Sequence, residues 1–105
     1  MFPKRREYRN PKLLKWAHGK PCQVQSPDCT GYNTVPAHSN AADDGKGRGQ
    51  KADDIFIAIS CPECHKFLDR EGSRWRQHTA DEIRWYHDRA IKRTIRLMLD
   101  DGMLR

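Results

Sequence analysis

Cys61-Pro62-Glu63-Cys64-His65 decides how this chain folds. Two cysteines separated by two residues form a knuckle whose thiolates aim at one cation, a geometry that suits tetrahedral Zn²⁺. His65 leaves the same turn on another side and is available to a second site. Just upstream, Ile55-Phe56-Ile57-Ala58-Ile59 is β-branched and nearly all apolar, which predicts a buried strand running into the knuckle. Pro62 suits the first turn of a helix, continued by Lys66, Phe67, Leu68 and Asp69.

The knuckle needs two more ligands, and Cys22 and Cys29 are the remaining cysteines. Their six-residue spacing, turned by Pro27-Asp28, says little alone. Combined with the knuckle it completes a closed four-thiolate site, so Cys22, Cys29, Cys61 and Cys64 are assigned to one structural zinc. The size of the chain agrees. At 105 residues, 36 % hydrophobic and 32 % charged, with mean hydropathy −0.98, it is one domain that needs a staple. No apolar run approaches the roughly 20 residues of a membrane span, and no signal-peptide core opens the chain. A reducing cytoplasmic setting is therefore expected, where paired cysteines favour metal over disulfides.

The net charge of +6 is unevenly spread. Residues 1–20 carry seven Lys and Arg, Arg5 and Arg6 among them, against Glu7 alone, whereas the remainder balances. Residues 1–10 show no apolar period and read as a mobile basic arm that can track a phosphate backbone or simply stay solvated. A single domain over 11–105 follows, with its metal core at 20–72. Asn10-Pro11 is a helix start, Leu13, Leu14, Trp16 and Ala17 form its apolar face, and Gly19 closes it.

Thr34-Val35-Pro36-Ala37-His38 reads as a short edge strand ending in a histidine. Residues 39–53 contain no large apolar side chain and read as a surface loop. Its glycines, with Lys46, Arg48 and Lys51, would allow close approach to a phosphate; a plain linker is the other reading. Beyond Gly72, Thr79-Ala-Asp-Glu82 matches a capping box for a helix over about 79–101. Ile83, Tyr86, Ala90, Ile91, Thr94, Ile95 and Met98 mark its apolar face. Trp75, Trp85 and His87 read as packing and surface groups.

Phosphodiester hydrolysis requires a base to activate water and a cation to stabilise the leaving oxygen. A histidine at a strand end, facing a metal on the following helix, supplies both. In this plan the chain resembles the HNH, or ββα-metal, nucleases. Cys22-Gln23-Val24, Ala37-His38, the Gly/Lys segment through Asp54-Ile55, Cys61-x-x-Cys64-His65 and Leu68-Asp69 are similar to the YbcO-like nucleases of phages and prophages, and more distantly to the phage Ref endonuclease. The resemblance spans about residues 12–72.

It implies an α+β, zinc-stabilised treble-clef domain with a flanking C-terminal helix, acting as a DNA endonuclease in recombination or DNA processing. It makes His38 the general base and His65 a ligand of a catalytic Mg²⁺ or Mn²⁺, or of Zn²⁺. Asp54 stands at the family's Asn position, where it orients the base or binds the metal. Many relatives place a metal ligand just before the base, whereas this chain has Ala37, so Asp54 and Asp69 are the candidates for the missing ligand. DNA is the expected partner, with a phage or host recombination protein as a further one and no membrane. A zinc module that binds nucleic acid without cutting it, and a protein-binding adaptor, are the competing classes.

Overall fold

The computed structural model describes residues 7–41, 44–47, 49–72 and 74–104. Arg5, Arg6 and Arg48 lie outside them. The elements are α1 (Pro11–Ala17), β1 (Val35–His38), β2 (Ile57–Ser60), α2 (Pro62–Leu68), a 3₁₀ turn (Arg74–Gln77) and α3 (Ala80–Asp100). They form a small α+β domain with a two-stranded sheet and three α-helices.

Local chemistry sets the helix ends. The Asn10 side chain accepts from the Leu13 amide ahead of Pro11, and such a cap is worth about 1 kcal/mol. Thr79 and Glu82 close a reciprocal capping box at the start of α3. Cys61 directly follows β2 and is the N-cap of α2, its sulfur accepting from the Cys64 amide at 3.4 Å. The knuckle thereby joins strand, helix and sulfur cluster in five residues.

The strands pair antiparallel, with Pro36 opposite Ile59 and His38 opposite Ile57. Pro36 has no N–H, yet its pairing loses no hydrogen bond, because Ile59 turns its own polar groups the other way. The Ile59 amide donates to Thr94 Oγ1 at 3.1 Å, and its carbonyl accepts from the Gln23 amide at 2.8 Å. A non-hydrogen-bonded pair position tolerates proline for this reason. The far edge of β2 is thus covered by α3 and the first cysteine loop.

β2 is buried on both faces. Ile57 and Ile59 pack with Leu13, Ala17 and Met98, which ties α1 to the end of α3. Ala58, with Ala37 across the sheet, faces a second core of Phe67, Leu68, Ile83, Ala90 and Ile91 around the cysteines.

Between the two strands the structure departs from expectation in two places. The strand begins at Ile57, because residues 53–56 close a turn in which the Phe56 amide donates to the Asp53 carbonyl at 2.9 Å. The 39–53 segment is also more than a surface loop: Ser39, Ala52 and Asp53 are buried, as is Asp54 beyond it. Gly45 adopts φ +100°, and a Cβ there would stand 3.0 Å from Asp53 Oδ1. Glycine is what lets this loop fold back on itself.

Candidate active site

The four cysteine sulfurs lie within 4.8 Å of one another, and all four residues are free thiols rather than disulfides. A tetrahedron with Zn–S bonds near 2.3 Å has sulfurs about 3.8 Å apart, so the cluster matches the size of such a site. Backbone amides point at the sulfurs: Cys61 N–H donates to Cys22 Sγ at 3.3 Å and Thr30 N–H to Cys61 Sγ at 3.4 Å. Ser26 Oγ stands 3.1 Å from Cys64 Sγ. The hydrogen bond from Cys64, helped by nearby amides, pulls the Cys22 thiol down to about 4. The same bond, together with burial, pushes Cys64 up. Clustered thiols of this kind are deprotonated when they bind a cation.

His38 ends β1 and is mostly buried. Its Nε2 lies 2.8 Å from Oδ1 of Asp54, whose side chain is only 3 % exposed. Burial by itself would raise the Asp54 pKa. Hydrogen bonds from His38 and the Asn10 amide, with the charge of Arg9, outweigh it and leave Asp54 below the usual carboxylate range. An ionised carboxylate only accepts, so Nε2 of His38 is the nitrogen that donates to it.

Both Asp54 oxygens are occupied. Oδ2 accepts from the Asn10 amide at 2.7 Å, and Arg9 Nη1 lies 3.5 Å from Oδ1. Arg9 also donates to the carbonyls of Ala52 and Lys51, and the Asp54 amide donates to the Tyr8 carbonyl. Residues 8–10, read from the sequence as part of a mobile arm, are therefore bonded along 51–54. The sequence reading missed Arg9 and Asn10 as partners of Asp54; a contact across 44 residues leaves no local signature.

His65 lies on α2 with its Nε2 3.3 Å from Asp69 Oδ2, and both side chains are about 40 % exposed. Among the described residues no hydrogen bond or ion pair joins this pair to His38–Asp54. His87 on α3 approaches the His38–Asp54 pair. Buried at 5 % exposure, it contacts the Ala37 carbonyl through Nε2 at 3.3 Å, directly beside His38. Burial lowers its pKa, and it senses the charges of Asp88, Asp69 and His65. The sequence reading had it as a packing or surface group; its position within the apolar stripe of α3 was the available signal.

A cleft of about 620 Å³ opens beside these groups. Its walls come from Ser39 and Asn40 after the base candidate, Asp69 after α2, and Arg84, His87 and Asp88 on α3. Lys46 and Lys51 are exposed on the neighbouring loop.

Comparison with known proteins follows the same lines. The model of the family described as "Putative nuclease YbcO" matches residues 11–103. A solved structure described as that of a "putative bacteriophage protein from Escherichia coli str. K-12 substr. MG1655" aligns with a TM-score of 0.65 at 27 % identity. The alignment covers 86 % of this chain and 99 % of that one. No curated protein matches the chain. No helix among the described residues is long and apolar enough to cross a membrane.

Proposed function

This chain belongs to the YbcO nuclease family, and from that membership we propose that it is a metal-dependent DNA endonuclease of the HNH type, of phage or prophage origin, acting in DNA recombination or processing. The observation that carries the reading is the His38–Asp54 contact. A buried, ionised Asp54 holds the Nε2–H tautomer of His38. That leaves Nδ1 to take a proton from water as it attacks phosphorus, and Asp54 then stabilises the imidazolium that forms.

Asp54 acts in this proposal as the orienter of the base, since both its oxygens are already engaged. His65 and Asp69 would hold the catalytic cation. Their imidazole and carboxylate are adjacent and partly exposed, which suits a divalent ion that keeps several waters, Mg²⁺ or Mn²⁺ before Zn²⁺. When bound, such a cation supplies charge stabilisation to the phosphate and leaving oxygens. Structural zinc on the four cysteines would close a treble-clef core within a single domain over 11–105. Lys46, Arg48 and Lys51 on the loop, with Arg5 and Arg6 of the arm, would contact DNA phosphates.

One observation favours the non-catalytic zinc module. Among the described residues the four cysteines are the one group of three or more candidate ligands that converges. The two readings separate in a plasmid-nicking assay with added Mg²⁺ or Mn²⁺. Nicking supports the nuclease. DNA binding without nicking on supercoiled, duplex, single-stranded or branched DNA supports the module.

A further inference from the structure

Trp85 is among the largest exposed apolar side chains of the described residues, at 55 % exposure, and it is not loosely held. Its ring meets Tyr86 edge-on at 5.1 Å, and Tyr86 in turn meets the buried Phe67 at 5.3 Å. The Arg89 guanidinium lies 4.5 Å from the Trp85 ring centroid and 5.3 Å from that of Tyr86. Arg89 is itself anchored, since Nη2 donates to the Val24 carbonyl at 2.8 Å. An aromatic chain therefore runs from the core to the surface and ends in an indole braced by a fixed cation.

The surroundings carry more cations than anions. Between residues 81 and 96, α3 carries Arg84, Arg89, Lys92, Arg93 and Arg96 against Asp81, Glu82 and Asp88, with Arg84 paired to Asp88 and Arg96 to Asp100. The neighbours of Trp85 on α3, Arg84 and Asp88, form part of the cleft wall. Burying an indole in the core, or exposing only charge, would serve folding and solubility better. A rigid aromatic face amid cations is the arrangement that binds unpaired nucleobases: the ring stacks on any base, and the cations hold the phosphates.

We propose that Trp85, braced by Arg89 and flanked by Lys92, is a stacking platform for an unpaired base of the DNA substrate, so that this protein prefers single-stranded or distorted DNA over plain duplex. The proposal rests on the nuclease reading and specifies its substrate class. A stacked base contributes little entropy cost on the protein side because the indole is already positioned. The preference carries little sequence selectivity, since every base offers a π face.

The test measures binding of full-length protein to a fluorescein-labelled single-stranded 20-mer, a duplex of the same sequence and a 20-mer containing abasic sites, without divalent metal. Trp85→Ala should weaken single-strand binding about tenfold and leave duplex binding nearly unchanged. Trp85→Phe should retain most of the affinity. Abasic substitution should weaken wild type and leave Trp85→Ala unmoved. Circular dichroism and zinc content establish that the variants are folded. Equal loss on single strand and duplex, or no loss on either, overturns the platform while leaving the nuclease reading intact. If Trp85→Ala instead converts a dimer to a monomer in sedimentation with DNA affinity unchanged, the surface serves a second copy and the proposal fails. Wild type that binds no DNA of any form removes the underlying nuclease reading as well.

Discussion

His38 and Asp54, sixteen residues apart, meet at 2.8 Å between Nε2 and Oδ1 across the turn that leads into β2. The carboxylate is buried and is held from behind by the Asn10 amide and the Arg9 guanidinium. In the proposed mechanism this contact fixes the tautomer of the neutral histidine, and Nδ1 is the nitrogen left to accept a proton.

Asp54→Asn tests that backing. An amide can donate to Nε2 and so favours the wrong tautomer, which should cost nearly what loss of a general base costs, about 10²- to 10⁴-fold in cleavage rate. DNA affinity and zinc content should stay near wild type. Single-turnover nicking of supercoiled plasmid reads the rate, and a rate within twofold of wild type removes Asp54 from the mechanism.

The sulfur cluster predicts a fold that depends on its metal. Purified protein should carry one tightly held zinc per chain, and Cys64→Ser should largely unfold it, because binding at structural zinc sites contributes on the order of 10 kcal/mol to folding. Atomic absorption and circular dichroism with and without chelator check this. A metal-free, fully folded Cys64→Ser protein would contradict it.

His87 sets an acid limit. Burial depresses its folded pKa below the ordinary value of 6.5, so between those two values the unfolded chain binds the extra proton. Stability therefore rises with pH across that window and falls as pH drops below about 6.5, before the carboxylates titrate. Urea melts at pH 7.5 and 5.5 should differ more for wild type than for His87→Gln. Equal pH dependence in both would place the titration elsewhere.

The N-terminal segment should divide into two roles. Deleting residues 1–6 removes Lys4, Arg5 and Arg6 and should weaken DNA binding of every sequence alike, with a shallower salt dependence. Deleting residues 1–10 also takes the Arg9 and Asn10 partners of Asp54 and should abolish cleavage beyond the loss in binding. Identical cleavage per bound complex in the two deletions would mean that Arg9 and Asn10 do not support the base.

Much of this architecture was legible in local patterns. Cap chemistry at Asn10 and Thr79, the two cysteine pairs and the apolar stripe of α3 each depend on neighbours within a few residues, and each lies where the pattern placed it. Contacts between distant segments were not legible. The docking of Tyr8–Asn10 along 51–54 rests on backbone hydrogen bonds and one buried carboxylate, and neither alters the hydropathy pattern. Burial of Ala52 and Asp53 escaped for a related reason, since small and charged residues carry no apolar signal. The reading of His87 and Trp85 as packing and surface groups left open which of them packs and which faces solvent. Both sit in a helix with a plain amphipathic reading, yet the histidine is inside and the indole outside.

The most direct test of the central claim is plasmid nicking by His38→Ala beside wild type, with Mg²⁺ and with Mn²⁺. Wild type should nick, and His38→Ala should be slower by about 10²- to 10⁴-fold at either metal and at any metal concentration, with folding, zinc content and DNA binding preserved. His65→Ala should also be slow, but partly recover as the metal concentration rises. His38→Ala cutting at the wild-type rate would contradict the assignment of the base, and wild type failing to cut any form of DNA with either metal would contradict the nuclease itself.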